Sequence, residues 1–405
     1  MTRPNATINP TKIGDKNDMI KDRDGRYVFP LLRDPADYEP CTFPLRKNAD
    51  DPKHFPTLRE WLQVFKKSIP SFRNTASGDS SVRDAKGKAA EFEAEYLKIL
   101  IAIEKKPNGG PGLEGPGPVD VIKLCGMRDD LLRRLGFMDC FKTIKTQENA
   151  RSLALLNRTL RQLDEMEESR RLFALLQGIF AGNIFDLGAA ASADLYDNSG
   201  TDFEGTKDRL QPRPWLIDDA TAFAYKWNNH TYKKAIMFVD NAGADVVLGM
   251  LPFAREMVRR GTQVVMAANE VPSINDITAQ ELEQVLELCT DQVLRTAYQE
   301  GSLVVVSSGN SLPIIDLRRV SRELADEALD ADLVVMEGMG RAIETNLYAQ
   351  FKCDSLKVGM VKHHEVARCL NGKLYDVVCK FEEIPQDKGE EESFCSMKEP
   401  VCAIQ

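Results

Sequence analysis

The second half of the chain alternates between short apolar runs and amphipathic segments. Five runs rich in β-branched or small apolar residues follow one another from about residue 235, namely AIMFVD, TQVVMAANE, SLVVVSSGN, ADLVVMEGM and LKVGMVKHH. The segments between them have apolar residues at three- and four-residue spacing, which predicts helices. Apolar strands that alternate with helices are typical of a parallel sheet covered on both faces. The pattern therefore predicts a Rossmann-like three-layer α/β/α sandwich over residues 231–385.

The first half shows helical spacing, as in AEFEAEYLKILIAIEKK and ARSLALLNRTLRQLDEM. We expect a mainly helical domain over residues 56–230 that packs on the sandwich. Residues 1–55 are rich in Pro, Asp and Lys, and we expect an irregular arm that packs through YVFPLL and CTFPLR. Residues 386–405 are expected to form a loosely packed tail. The predicted fold is thus α/β with a largely parallel sheet.

One glycine-rich segment, GPGLEG at residues 110–115, matches the residue pattern G-x-G-x-x-G of dinucleotide-binding proteins but not its structural context. It follows a helical pattern rather than a strand, and Pro111, Pro116 and Pro118 prevent a helix from starting on its N–H groups. We expect a surface loop there. The sequence also lacks a P-loop motif and a G-x-S-x-G elbow, which argues against a P-loop kinase and a serine hydrolase.

Composition and charge narrow the range of partners. The 405 residues carry a net charge of −9, which argues against nucleic acid or an anionic membrane surface as a partner. The sequence has no signal-peptide pattern and no apolar run of roughly 18 residues, so we expect a cytoplasmic protein without a membrane segment. The nine cysteines include no C-x-x-C pair, which favours reduced thiols over a zinc site. A homo-oligomer stays open.

Polar residues follow each predicted strand, and ligands of such sheets bind at the carboxyl ends of the strands. Asp240 and Asn241 end the first strand, and Asp276 lies in the loop after the second. An adjacent Asp and Asn with a further carboxylate supply hard oxygen ligands that can hold a divalent cation. Thr278 and Glu281 form a capping box for the next helix, so Asp276 is not needed as its cap. We predict a metal site at Asp240, Asn241 and Asp276.

The later strand ends offer groups for binding a phosphate. In EGMGRAIETN, Gly338 lets the backbone approach a ligand, and Arg341 lies in the first turn of the next helix, where guanidinium and dipole together favour an anion. Lys362 would add a point charge. Ser308, in the loop SSGNSLP, offers a hydroxyl and exposed N–H groups. Each position also fits a structural turn or a solvated side chain.

The segments FVDNAGADVVLGMLPFAREMVRRGTQVVMAANEVPSIND, AGNIFDLGA and EGMGR resemble the metal-dependent damage-control phosphatase family. The similarity extends over roughly residues 55–385. It is greatest to the branch that contains the phosphatase domain fused to pantothenate kinases and its stand-alone plant relatives. The resemblance implies a divalent metal ion (Mg, Mn, Co or Ni) at Asp240, Asn241 and Asp276. It also implies hydrolysis of a small phosphorylated metabolite, 4'-phosphopantetheine or its oxidised or damaged forms.

The resemblance further implies roles for four other residues. It places Glu337 and Asn183 in motifs that line the pocket, and it matches Arg341 and Lys362 to positions that contact phosphate. The attacking group stays open between a water molecule and the Asp240 carboxylate.

Other classes of function have weaker support. A haloacid-dehalogenase phosphatase is disfavoured because Ala242 stands where its second Asp is required. Methyl transfer is poorly supported, since no strand is followed by an evident adenosylmethionine-binding loop. A non-catalytic regulatory module that binds metal and a phospho-ligand is the alternative function.

Overall fold

The protein is described here by a computed structural model that covers residues 25–43, 57–106, 119–184, 203, 205 and 210–384. The glycine-rich segment at 110–115 and the predicted tail lie outside these ranges. So do the predicted arm's residues 1–24 and 44–55.

The described residues of the N-terminal part of the protein form five helices. They are α1 (Leu58–Ser77), α2 (Ala85–Lys105), α3 (Val121–Arg134), α4 (Lys142–Asp164) and α5 (Glu168–Ile184). Helix α1 begins at a capping box in which the Thr57 hydroxyl accepts from the Glu60 N–H and the Glu60 carboxylate accepts from the Thr57 N–H. The mainly helical first half is therefore confirmed. Across the described ranges, no helix combines the length and apolarity that a membrane span needs.

Among the described residues, the second part contains a sheet of seven strands in the order β1-β7-β6-β5-β2-β3-β4. All neighbours are parallel except β6 and β7, which are antiparallel. This confirms the predicted largely parallel sheet. The strands are β1 (Ile217–Asp218), β2 (Lys234–Phe238), β3 (Gln263–Ala268), β4 (Leu303–Ser307), β5 (Leu333–Glu337), β6 (Asp354–Met360) and β7 (Val377–Glu382).

Alternate residues of the central strand β2 enter different cores. Ala235 and Met237 pack in one apolar cluster with α5, whereas Ile236 and Phe238 pack in another with Phe29 of the N-terminal arm. Both faces of the sheet are therefore covered, as the apolar strands predict. The other helices within the described ranges are α6 (Ala220–Asn229), α7 (Leu251–Arg259), α8 (Ala279–Leu288), α9 (Gln292–Glu300), α10 (Arg322–Ala328) and α11 (His364–Cys369).

Two segments expected to be ordinary helices contain π-helical turns, at Asp245–Met250, which continues into α7, and at Met339–Thr345, which no α-helix follows directly. Each turn follows a strand end that carries candidate site residues, and π-helical turns occur often at functional sites. Strand β1 and helix α6 lie within residues 56–230, but β1 belongs to the sheet and α6 packs against it. The proposed boundaries between the helical and α/β domains stay a prediction.

The first π-helical turn packs closely on α5. A Cβ added at Gly182 would lie 2.8 Å from Asp245 Cα and 2.9 Å from the Ala244 carbonyl oxygen. These are backbone atoms, so a side chain here forces the two elements apart.

We therefore expect Gly182→Ala to lower the free energy of unfolding by about 1–3 kcal/mol, measured by urea denaturation. Gly126→Ala is the matched control, because Gly126 also lies inside a helix but no atom lies within 4 Å of its added Cβ. The control should be neutral or stabilise by roughly 0.5–1 kcal/mol. Equal stability of the two variants would show that the close approach at Gly182 is not required.

Candidate active site

The strand order places the candidate site at the switch point of the sheet. From β2 the chain moves outward through β3 and β4, and it returns on the other side of β2 as β5. Asp240 follows β2, and its N–H donates to Oε2 of Glu337, the last residue of β5, at 2.9 Å. The crevice outside such a switch point is where open α/β sheets bind ligands.

The loops after β2 and β3 are joined by backbone hydrogen bonds. Asn241 and Asp276 form an isolated antiparallel bridge, and the Ile277 N–H donates to the Asp240 carbonyl at 3.0 Å. The structure thus brings together the three residues predicted as metal ligands. Metal binding by this set stays a prediction.

Asp240, Asn241 and Asp276 line one solvent-connected cavity between the sheet edge and helices α1 and α3. Much of the remaining wall is apolar or aromatic and includes Trp61, Phe65, Phe72, Val121 and Ile314. The cavity therefore combines a carboxylate-bearing end with an apolar wall that the helical part contributes.

Arg341 lies between two of these carboxylates and is 2% exposed. Its Nη1 donates to Asp240 Oδ1, and its Nη2 donates to Asp276 Oδ2 at 2.7 Å and to Asn269 Oδ1 at 3.0 Å. The sequence predicts a phosphate contact for Arg341, and the structure shows its guanidinium bound to carboxylates. Arg341 is not among the described residues that line the cavity.

Behind the cavity, the carboxylates of Asp240, Asp245 and Glu337 have oxygens within 4.8 Å of one another. Such a buried acidic cluster could hold a metal ion. Asn183 stabilises this cluster, since its Nδ2 donates to Glu337 Oε1 at 2.7 Å and to Asp245 Oδ2 at 3.1 Å. Asn183 and Glu337, predicted to line the pocket, thus lie in the layer that supports Asp240.

Asp245 is the residue of this cluster whose carboxyl pKa is clearly shifted. Burial raises the pKa of the Asp245 carboxyl, and the nearby Lys362 ammonium together with hydrogen bonds from Asn241 and Asn183 opposes that rise. Lys362, predicted to contact phosphate, is itself buried and faces this acidic cluster. It is not among the described residues of the cavity wall.

The donor atoms fit a hard divalent cation. In the described part of the chain, Asn241 Oδ1 and Asp245 Oδ1 are buried and have no hydrogen-bond partner. A buried oxygen without a donor is costly, and a cation can satisfy it. The predicted set Asp240, Asn241 and Asp276 reaches the cavity, whereas Asp245 and Glu337 do not. The first set is therefore the more accessible to a cation that also contacts a substrate.

Gly338 is required by the close approach of Asp240. Its φ is +103°, and an added Cβ would lie 2.3 Å from Asp240 Oδ2. Only glycine fits this conformation and this space without strain. Ser308, by contrast, lies outside the described cavity lining, and its Oγ accepts from the Asn310 N–H at 3.2 Å within its own turn.

Several residues of the site do not stand out in the sequence as functional. Asn269 is buried and donates to Asp276 Oδ2 at 3.0 Å. His363 lies 3.1 Å from Glu344 at the cavity wall and packs edge-on against Trp61. Cys125 also lines the cavity, but burial raises the pKa of its thiol to about 12, which disfavours a thiolate nucleophile.

A parallel α/β sheet with a carboxylate-lined cavity at its switch point defines a class of ligand-binding α/β proteins. Residues 45–378 match the family described as the damage-control phosphatase ARMT1-like domain, and the chain belongs to this family. The family resemblance seen in the sequence is therefore confirmed.

Named relatives support this assignment. The damage-control phosphatase At2g17340 of Arabidopsis thaliana is 51% identical over 361 residues, which cover 88% of this chain and 97% of that protein. The 4'-phosphopantetheine phosphatase of Mus musculus is 32% identical, with 87% of this chain and 48% of that protein covered. Pantothenate kinase 2 of Arabidopsis thaliana is 40% identical, with 88% of this chain and 42% of that protein covered. The chain spans less than half the length of the last two relatives.

A solved structure of a DUF89 family protein from Pyrococcus horikoshii has the same fold. It superposes with a TM-score of 0.57 over 80% of this chain and 98% of that chain, at 18% identity. At this identity the likeness shows the fold alone.

Proposed function

We propose that this protein is a metal-dependent phosphatase that hydrolyses a small phosphomonoester, 4'-phosphopantetheine or an oxidised or damaged form of it. The observation that carries the proposal is the cavity itself, which has Asp240, Asn241 and Asp276 at one end and an aromatic wall along its side. The family and the name of the mouse relative support the reaction and the substrate class.

We assign the metal to Asp240, Asn241 and Asp276, with Mg, Mn, Co or Ni as candidates. When bound, a divalent cation supplies the positive charge that neutralises phosphoryl oxygens. The chain's own residues fix the geometry around it. Glu337 accepts from the Asp240 N–H, and Asn241 donates from Nδ2 to Asp240 Oδ2 at 3.1 Å, so the Asp240 carboxylate is held in place.

The proposed reaction forms a bond from an attacking oxygen to phosphorus and breaks the bond from phosphorus to the ester oxygen. With water as the other reactant, the products are the alcohol and inorganic phosphate. Catalysis of this kind is mainly positioning and electrostatic stabilisation. The attacking oxygen is either that of a water molecule or a carboxylate oxygen of Asp240, which lines the cavity. In the second case the alcohol leaves first, and water then hydrolyses the aspartyl phosphate to inorganic phosphate and the free carboxylate.

The apolar wall suits the rest of the proposed substrate. Trp61, Phe65 and Phe72 present aromatic surface, which favours a long uncharged chain such as pantetheine over a compact sugar. A substrate chain that covers this surface would displace water beside the phosphate end, which strengthens electrostatic interactions there.

A panel of phosphorylated metabolites tests the proposal, with release of inorganic phosphate measured in the presence of Mg, Mn, Co or Ni. We expect 4'-phosphopantetheine or an oxidised form to be hydrolysed faster than sugar phosphates, and a chelator to abolish the activity. Activity that survives chelation would contradict metal dependence. Thermal stabilisation by a phosphorylated ligand without any phosphate release would instead favour the regulatory module.

A further inference from the structure

One arginine of the helical part faces the same cavity with part of its hydrogen-bonding capacity unused. Arg128 lies in α3, its side chain is 7% exposed, and it lines the cavity. Its Nε donates to Asp129 Oδ1 at 2.7 Å. Its Nη2 is buried and has no hydrogen-bond partner within the described ranges. A buried guanidinium with an unused donor is costly unless a ligand satisfies it.

The guanidinium is held in place from two sides. Asp129 accepts from Arg128 and also from Ser273 Oγ, at 2.5 Å. Ser273 belongs to the loop that carries Asp276, so this contact links α3 to the predicted metal site. The Arg128 guanidinium also lies 4.7 Å above the centre of the Phe72 ring. Arg128 is therefore fixed before any ligand binds, which lowers the entropic cost of binding.

The charged residues around the cavity indicate which kind of ligand the Arg128 Nη2 group can bind. Asp240, Asp276 and Glu344 line the wall, and they disfavour an anion unless positive charge is supplied. Arg341 is bound to Asp240 and Asp276, and Lys362 interacts electrostatically with Asp245 and is not among the described residues of the wall. Among the described residues of the wall, Arg128 is the one Arg or Lys.

We propose that Arg128 binds a phosphoryl oxygen of the substrate through Nη2, from the side of the helical part. This inference rests on the proposed function and adds a specific residue to it. A guanidinium is suited to this role because its charge and its planar donors match a phosphate group. The helical part then supplies a binding residue, so the phosphate site is incomplete without α3.

The test compares three variants for binding of inorganic phosphate, which has no other group that could contact the wall. Isothermal titration calorimetry in the presence of Mg or Mn gives Kd for wild type, Arg128→Met, Arg128→Lys and Arg134→Met. Arg134 is the matched control, because it lies in the same helix but is mainly exposed and pairs with Glu95 outside the cavity. Steady-state kinetics with an aryl phosphate gives kcat and KM for the same proteins.

We expect Arg128→Met to raise Kd for phosphate on the order of 10- to 100-fold. Arg128→Lys should recover only part of the affinity, since an ammonium keeps the charge without the planar fork. Arg134→Met should leave Kd unchanged. Thermal melting identifies any variant that does not fold. If Arg128→Met does not fold, Arg128→Lys still tests the proposal, because its ammonium keeps a positive charge beside Asp129.

Two kinds of outcome separate this inference from the proposed function. An unchanged Kd in a folded Arg128 variant, or no phosphate binding by the wild type, would overturn the role of Arg128. That result is compatible with an active phosphatase. Conversely, the protein could bind phosphate in a way that depends on Arg128 and yet hydrolyse no phosphomonoester. That result would overturn the proposed function but support the contact between Arg128 and phosphate.

Discussion

The variant Asp240→Ala is expected to lose at least about 10³-fold in kcat/KM for phosphomonoester hydrolysis while remaining folded. Asp240 belongs both to the predicted metal set and to the acidic cluster, and it lines the cavity. It is also one of the two candidates for the attacking group, so its loss removes more than one contribution. Folding should persist because the change reduces repulsion among three buried carboxylates and leaves Arg341 paired with Asp276. Initial rates over a range of substrate and metal concentrations measure the effect.

A carboxylate away from the cavity provides the control. Asp330 is mainly exposed and pairs with Lys234, so Asp330→Ala should leave kcat/KM unchanged. A fully active, folded Asp240→Ala protein would refute the assignment of the site.

Rapid-quench trapping of a phosphoenzyme in the wild type, and its absence in Asp240→Asn, would identify Asp240 as the nucleophile. No trapped species in either protein would favour water.

The sheet and one edge of the site could be predicted from the sequence because local patterns determine them. Continuous β-branched runs predict buried parallel strands, and the carboxyl ends of such strands share an edge. Asp240, Asn241 and Asp276 follow neighbouring strands, which is why they meet. The short β1 gives no comparable signal, since two residues carry no period.

The layer behind Asp240 could not be predicted from local patterns because it depends on packing between distant segments. Asn183 comes from α5, Glu337 from β5 and Asp245 from a π-helical turn, and their contacts depend on glycine-mediated packing of α5 on that turn. Arg341 shows the same difficulty. A position in the first turn after a strand predicts an anion site, yet the side chain is long enough to reach the carboxylates of two other loops. Its predicted phosphate contact stays a prediction.

Arg128 had no signal in the sequence, since an arginine in an amphipathic helix ordinarily suggests a solvated face. Its burial results from the contact of α3 with the loop that carries Ser273, and from the Phe72 ring of α1 below it. The helical part therefore has a second role besides packing, because it forms the wall that faces the metal site. This arrangement explains why the cavity lies between the two parts of the protein rather than within either one.

The variant Arg341→Met is expected to lower the free energy of unfolding by about 3–5 kcal/mol when divalent cations are absent. Arg341 and both of its carboxylate partners are buried, so its removal leaves Asp240 and Asp276 without their shared counter-charge. If these carboxylates also hold the metal ion, a divalent cation should recover much of the lost stability, because it replaces the missing positive charge. Urea denaturation with a chelator measures the loss of unfolding free energy, and urea denaturation with Mg or Mn measures its recovery. The increase in unfolding free energy on adding metal should be larger in the variant than in the wild type.

Arg255 offers a matched control for this linkage. It also bridges two carboxylates, Asp164 and Asp291, and its side chain is largely buried, but it lies away from the cavity. Arg255→Met should destabilise the protein less, since Asp164 is partly exposed, and metal ions should not restore its stability. Metal rescue of both variants, or of neither, would mean that Asp240 and Asp276 do not hold the cation. Rescue confined to Arg341→Met would show that the guanidinium and the metal ion neutralise the same two carboxylates, so that metal affinity in the wild type is limited by a positive charge already in the site.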